Sequence, residues 1–90
     1  MVRFDWDRQK ARSNLAKHGV SFDEAKTVFE DPFAITIPDP DHSDKEMRFI
    51  DLGYSRNSRL LIVVYTERND TIRIISSREA DKNERKQYET

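Results

Sequence analysis

The chain predicts an α+β fold: two N-terminal helices packed on a four-stranded antiparallel sheet, with a short C-terminal helix. Three observations carry this. Apolar residues follow helical spacing early in the chain, strand-like alternation and apolar runs dominate from Phe33 to Ser77, and the connections between those runs are short. Short connections favour an antiparallel meander, because a parallel crossover needs a dozen residues or more. Ninety residues without cysteine fit a single domain (1–90) that folds without staples, in a reducing cytoplasm. The charged start MVRFDWDRQK argues against a signal peptide, and the absence of a long apolar run argues against a membrane span.

Taken in order, Phe4-Asp5-Trp6 is a short strand or an extended entry. Asp7 caps a helix whose Ala11 and Leu15 share one face. Lys17 and His18 close it, with Gly19 as the left-handed terminator. Ser21 and Glu24 form a reciprocal capping box, Val20 and Ala25 a hydrophobic staple, and Phe22, Ala25, Val28 and Phe29 the apolar stripe of a second helix. Asp31-Pro32 ends that helix. Phe33, Ile35 and Ile37 then alternate as a strand, and residues 38 to 44 make an exposed loop. Met47 to Tyr54 is the next strand, with a change of apolar parity between Phe49 and Ile50 that suggests a bulge. Leu60 to Tyr65 is apolar on both faces, as in a central strand, and Thr71 to Ser77 follows a turn at Arg68-Asn69-Asp70. In Asp81 to Tyr88, Asp81 and Glu84 form a second capping box and Asp81 and Arg85 an i,i+4 pair; with few apolar residues the segment either leans on the body through Tyr88 or frays.

The net charge is -1, but its distribution is uneven: +3 over residues 1–18, -6 over 19–46 and +2 over 47–90. This is either ordinary solvated surface or a basic face built from both ends of the chain, on which a polyanion docks. Two histidines, His18 and His42, without cysteine make a poor zinc set, and Asp39, Asp41 and Asp44 lack the spacing of a calcium loop. With only Gly19 and Gly53 there is no phosphate cradle, so no metal, nucleotide or other cofactor is expected.

The chemical resources left are arginines, lysines, His18 and glutamates. Strand periodicity sends Ile72 and Ile74 one way and Arg73, Ile75 and Ser77 the other, toward the uncovered sheet face. Arg78 lies just past the strand end, Arg48 joins the open face, and Arg68 sits at the turn with Glu67. Guanidinium groups bind phosphate oxygens through paired hydrogen bonds, so the group either converges as a phosphate site or is spent singly on nearby glutamates. His18 sits where a helix end favours a protonated imidazole. It is therefore either a helix cap or a proton donor. Trp6, Phe4 and Tyr65 are core-edge aromatics or base-stacking surfaces.

An ordered set of segments resembles the BrnT-like toxins of bacterial type II toxin–antitoxin systems. It comprises Phe4-Asp5-Trp6-Asp7 with Lys10 and Asn14, Lys17-His18-Gly19-Val20-Ser21-Phe22 with Ala25, and Asp31-Pro32. Val64-Tyr65-Thr66-Glu67-Arg68, Arg73-Ile74-Ile75-Ser76-Ser77-Arg78 and Glu84-Arg85 with Tyr88 complete it. Asp5 stands where glutamate is common, and Ser77 where alanine is. The resemblance implies a RelE-like fold that cuts RNA without metal and arrests growth. It also implies a BrnA-like antitoxin whose ribbon-helix-helix part reaches operator DNA through the complex. On that reading the 2′-hydroxyl attacks the adjacent phosphate. Arg73 and Arg78 stabilise it with Arg48 or Arg68, His18 or Glu67 handles protons, Lys17 or Lys10 steers the backbone, and Trp6 stacks a base. The rival reading is a non-catalytic module that binds nucleic acid or protein on the same basic face.

Overall fold

The computed structural model describes residues 2–39 and 46–89. Its elements are β1 (Arg3–Asp5), α1 (Arg8–His18), α2 (Phe22–Ala25), a 3-10 helix (Lys26–Glu30), β2 (Ile35–Pro38), β3 (Arg48–Tyr54), β4 (Leu60–Arg68), β5 (Thr71–Glu79) and α3 (Lys82–Glu89). The α+β class holds, with two corrections. The sheet has five strands in the order β1-β5-β4-β3-β2, because β1 pairs in parallel with β5 (Phe4 opposite Ile72) while the remaining pairs are antiparallel. The second helix is a single α turn continued as 3-10, and it ends at Asp31 as Asp31-Pro32 requires.

Local signals explain α1. Asp7 accepts from the backbone N–H of Gln9 (2.8 Å) and Lys10 (3.1 Å), and Gly19 closes the helix at φ 70° with its N–H on the Leu15 carbonyl. At α2, Ser21 Oγ accepts from Glu24 N at 3.0 Å. The reciprocal half of that box is absent: the Glu24 carboxylate is held by Arg59 Nε (2.9 Å) and Ser55 Oγ (2.7 Å) instead. A full box does form at α3, where Asp81 and Glu84 exchange bonds of 2.8 and 2.9 Å. Arg85 does not pair with the Asp81 carboxylate but reaches the Tyr54 hydroxyl at 3.4 Å.

Both sheet faces are covered, unequally. On one, α1, α2 and the 3-10 helix pack Val20, Phe22, Ala25 and Val28 on Leu61, Val63, Tyr65, Ile72 and Ile74. On the other, α3 covers only part of the sheet, where Tyr88 and Ala80 meet Leu52, Leu60 and Ile62. Tyr88 stacks edge-on against Tyr54 (centroids 5.2 Å apart) and donates to Asp31 at 2.7 Å, so the helix leans on the body through it. This two-sided burial explains the parity change in β3: Phe49 faces the helical layer with Tyr65, and Ile50 faces the α3 side. No bulge is needed there, and β3 pairs regularly along its length. At Gly53 the neighbouring layer leaves no room for a side chain. A Cβ on it would lie 2.9 Å from Ala34 Cβ and 3.0 Å from Val28 Cγ1.

The irregularity lies between β4 and β5. Val64 pairs with Ser76 and Tyr65 with Ile74, so Ile75 is an extra residue. From there on the alternation of β5 is reversed. Ser77 turns to the helical side and is buried, while Ser76 and Arg78 turn to the face of Arg73. The edge of β5 beyond β1 is closed by a side chain. Buried Asn14 accepts from Ser77 N (3.0 Å) and donates to Ser77 O (2.8 Å) and Val20 O (2.9 Å). Among the described residues no helix is long and apolar enough to cross a membrane.

Candidate functional site

On the partly covered face, strand register sets the arginines in rows. Arg48 on β3, Thr66 on β4, Arg73 on β5 and Asp5 on β1 are lateral neighbours, and Arg68, Thr71 and Arg3 form the next row outward. Arg78 lies opposite Ile62, four β4 residues from Thr66, which at the usual strand rise places it about 13 Å from Arg73 along the strand. It belongs to β5 itself rather than following it, and the Ile75 bulge is what gives it the same face as Arg73.

Of the four arginines expected at this site, three meet a carboxylate among the described residues. Arg73 Nη1 donates to Asp5 at 3.1 Å, Arg68 pairs with Glu46, and Arg78 holds Glu84 through two bonds of 2.8 and 2.7 Å. The Arg48 guanidinium pairs with no described carboxylate. Glu46 is held below the ordinary range by its hydrogen bond from Arg68, with Arg48 and Arg73 adding attraction. Glu84 is lowered mainly by its bonds from Arg78. The pairs on this exposed rim are worth little each, so an incoming anion can exchange with the carboxylates at small cost.

A groove of about 420 Å³ runs between α1 and the bulge of β5, lined by Asp7, Lys10, Lys17, His18, Ile75 and Ser76 among others. Lys10, Lys17 and His18 are exposed along it. Ser76 connects the two regions, since it lines the groove and shares a face with Arg73 and Arg78. His18 ends α1 in front of Gly19, so the helix-end position is realised.

Not every expected residue joins this group. Glu67 pairs with Ile72 on the helical side, where burial and the Asp51 hydrogen bond raise the Tyr65 hydroxyl pKa and the Glu67 charge adds little to them. Trp6 packs edge-on against Phe22 (5.8 Å) and Phe4 against Phe29 (5.3 Å), so both are fastened to the first core. Tyr65 is buried and donates to Asp51 at 2.8 Å, which leaves it unavailable to a base. Of the acidic loop, Asp41, His42 and Asp44 lie outside the described residues. Among the described residues no three His, Asp or Glu side chains cluster as metal ligands. Thr66, at the centre of the arginine row, belongs to the segment Val64-Tyr65-Thr66-Glu67-Arg68 that carries the family resemblance, but nothing in the sequence gives it a role of its own.

The fold and the sequence have counterparts among known proteins. The fold matches the crystal structure of the Brucella abortus ribonuclease toxin BrnT with a TM-score of 0.70, at 21% identity, over 91% of this chain and 100% of that one. No curated protein matches. The family model described as "Ribonuclease toxin, BrnT, of type II toxin-antitoxin system" matches residues 6–84, which takes in α1, the groove and strands β2 to β5. The chain therefore belongs to the BrnT family of ribonuclease toxins of type II toxin–antitoxin systems.

Proposed function

We propose that this toxin cleaves single-stranded RNA without a metal ion, by attack of the 2′-hydroxyl on the neighbouring phosphate. The single observation carrying this reading is the alignment of Arg73 and Arg78 on one sheet face, beside a groove bearing Lys10, Lys17 and His18. RNA brings its own nucleophile. The protein must supply cationic donors for the charge on the phosphorane and a group that moves protons.

Arg73 and Arg78 contact the sugar–phosphate backbone, helped by Arg48 and Arg68, and Lys10 and Lys17 steer the strand into the groove. His18 protonates the leaving 5′-oxygen, and the proton of the attacking 2′-hydroxyl passes to solvent water in the open groove. Glu67 and Trp6 have no part in this scheme, because one belongs to the opposite face and the other to the core. A BrnA-like antitoxin silences the toxin by covering this surface, and its ribbon-helix-helix part carries the pair to operator DNA. Both act in the cytoplasm, and release of the toxin arrests growth.

The test is incubation of the purified protein with single-stranded RNA in EDTA, followed by analysis of the product ends. Products carrying 2′,3′-cyclic phosphate support the scheme. Cutting that stops with EDTA, or that leaves 5′-phosphate ends, overturns it, and binding without cutting favours a non-catalytic module.

A further inference from the structure

The row Arg48–Thr66–Arg73 contains a polar atom that the fold leaves unserved. Thr66 is 3% exposed, and its Oγ1 is buried with no hydrogen-bond partner among the described residues. Buried hydroxyls are nearly always paired, and a native exception calls for a partner that the bare chain does not supply. Neither lateral neighbour can accept the Thr66 proton, because guanidinium groups only donate. The nearest acceptor in the row, Asp5, lies at its far end and takes its bond from Arg73. Three donor groups thus stand side by side on neighbouring strands, spaced by about 4.8 Å per strand, with an acceptor missing between them.

We propose that Arg48, Thr66 and Arg73 form a phosphodiester subsite, in which the Thr66 hydroxyl donates to one non-bridging oxygen while the two guanidiniums clasp the other. This rests on the ribonuclease reading and adds a substrate-contacting residue to it. The carboxylates beside the row, Asp5 and Glu46, engage Arg73 and Arg68 and leave the hydroxyl without a bond, whereas a phosphate seated between the arginines reaches all three donors. Arg48 and Arg73 are only partly buried, and the subsite requires their side chains to turn onto the anion, Arg73 exchanging Asp5 for it, so that the hydroxyl is reached. Arg78, some 13 Å along the strand, serves a different phosphate of the same RNA.

The probe is a short single-stranded 2′-O-methyl oligoribonucleotide, which binds but cannot undergo 2′-attack, followed by fluorescence anisotropy. Thr66→Val keeps the shape and removes the hydroxyl. Affinity for the probe should fall roughly tenfold, with the unfolding midpoint unchanged or raised, while Thr66→Ser should bind within about threefold of the parent. The salt dependence of Thr66→Val should match the parent because no charge is lost, whereas Arg73→Ala should flatten it by about 0.7 of a log unit per log unit of salt. Unchanged affinity in Thr66→Val overturns the subsite, and so does a lowered unfolding midpoint, which would mean that the hydroxyl serves the fold. If the parent protein itself neither binds the probe nor cuts RNA, it is the ribonuclease reading that fails.

Discussion

Arg73 and Arg78 stand five positions apart on one strand yet project from the same side of the sheet, because Ile75 is an unpaired extra residue between them. Strict alternation would send them to opposite faces. Arg73→Ala should lower the RNA cleavage rate by about a hundredfold or more, as loss of a preorganised donor to a charged transition state does, and Arg78→Ala should lower it through weaker binding of a neighbouring phosphate. Their ion pairs are half-exposed, so the unfolding free energy should change by less than about 1 kcal/mol. Arg56→Ala, which breaks an exposed pair with Glu30, is the control and should cut as the parent does. Equal rates for all three variants would remove the arginines from the mechanism.

What was legible beforehand is what local chemistry encodes. Asp7 and Gly19 bracket α1 within a dozen residues, and Asp81 with Glu84 announces α3, so both helices were found. For β1 the sequence offers a short strand or an extended entry at Phe4-Asp5-Trp6, but not its parallel pairing. Its partner lies almost seventy residues away, and three residues with one core side chain carry no pattern that names it. The bulge was missed for a related reason. It exists only in the register between two strands, so periodicity placed Ser77 beside Arg73 when Ser77 is in fact buried on the other side. The arginines could be chosen by type, but Thr66 has meaning only through neighbours on two other strands, and no linear reading brings those together.

Asn14 does for the edge of β5 what another strand would. Its amide meets both backbone groups of Ser77 and also the Val20 carbonyl that leads into α2. Asn14→Ala leaves these buried groups without partners and should cost about 3 kcal/mol in chemical denaturation. Asn14→Asp should cost no less, because a carboxylate cannot donate to either carbonyl and faces them as a charge. Amide exchange at Ser77 should rise in both variants. A loss below about 0.5 kcal/mol in Asn14→Ala would show that water replaces the clamp.

Under α3, the carboxylate of Glu84 competes with any phosphate for Arg78. Glu84→Gln keeps an oxygen for the Asp81 N–H but ends the bidentate ion pair, and should tighten binding of non-cleavable RNA by about threefold at low salt. The same variant bears on acid stability. The folded carboxyl is lowered by Arg78, so its contribution is present above the unfolded value near 4.5 and fades as pH falls through the folded one. Glu84→Gln should therefore lose stability at neutral pH but little at pH 3. Unaltered RNA affinity would mean that Arg78 is not reached by the strand.

Asp51 has the opposite sign. It is buried on β3 and receives hydrogen bonds on Oδ1 from Thr36 Oγ1 (2.7 Å) and Tyr65 OH (2.8 Å), with no described cation beside it. Burial raises its pKa above the ordinary 3.8, and the two donors only partly offset this. A raised folded pKa means that its contribution is fully present below the unfolded value and is lost as pH rises through the folded one, so ionised Asp51 is a standing penalty at neutrality. Asn retains an oxygen for both donors and carries no charge. Asp51→Asn should therefore raise the melting temperature at pH 7 and converge with the parent near pH 3, in thermal unfolding followed by circular dichroism. A variant less stable at pH 7 would show that the carboxylate's charge is compensated by a group outside its two hydrogen bonds.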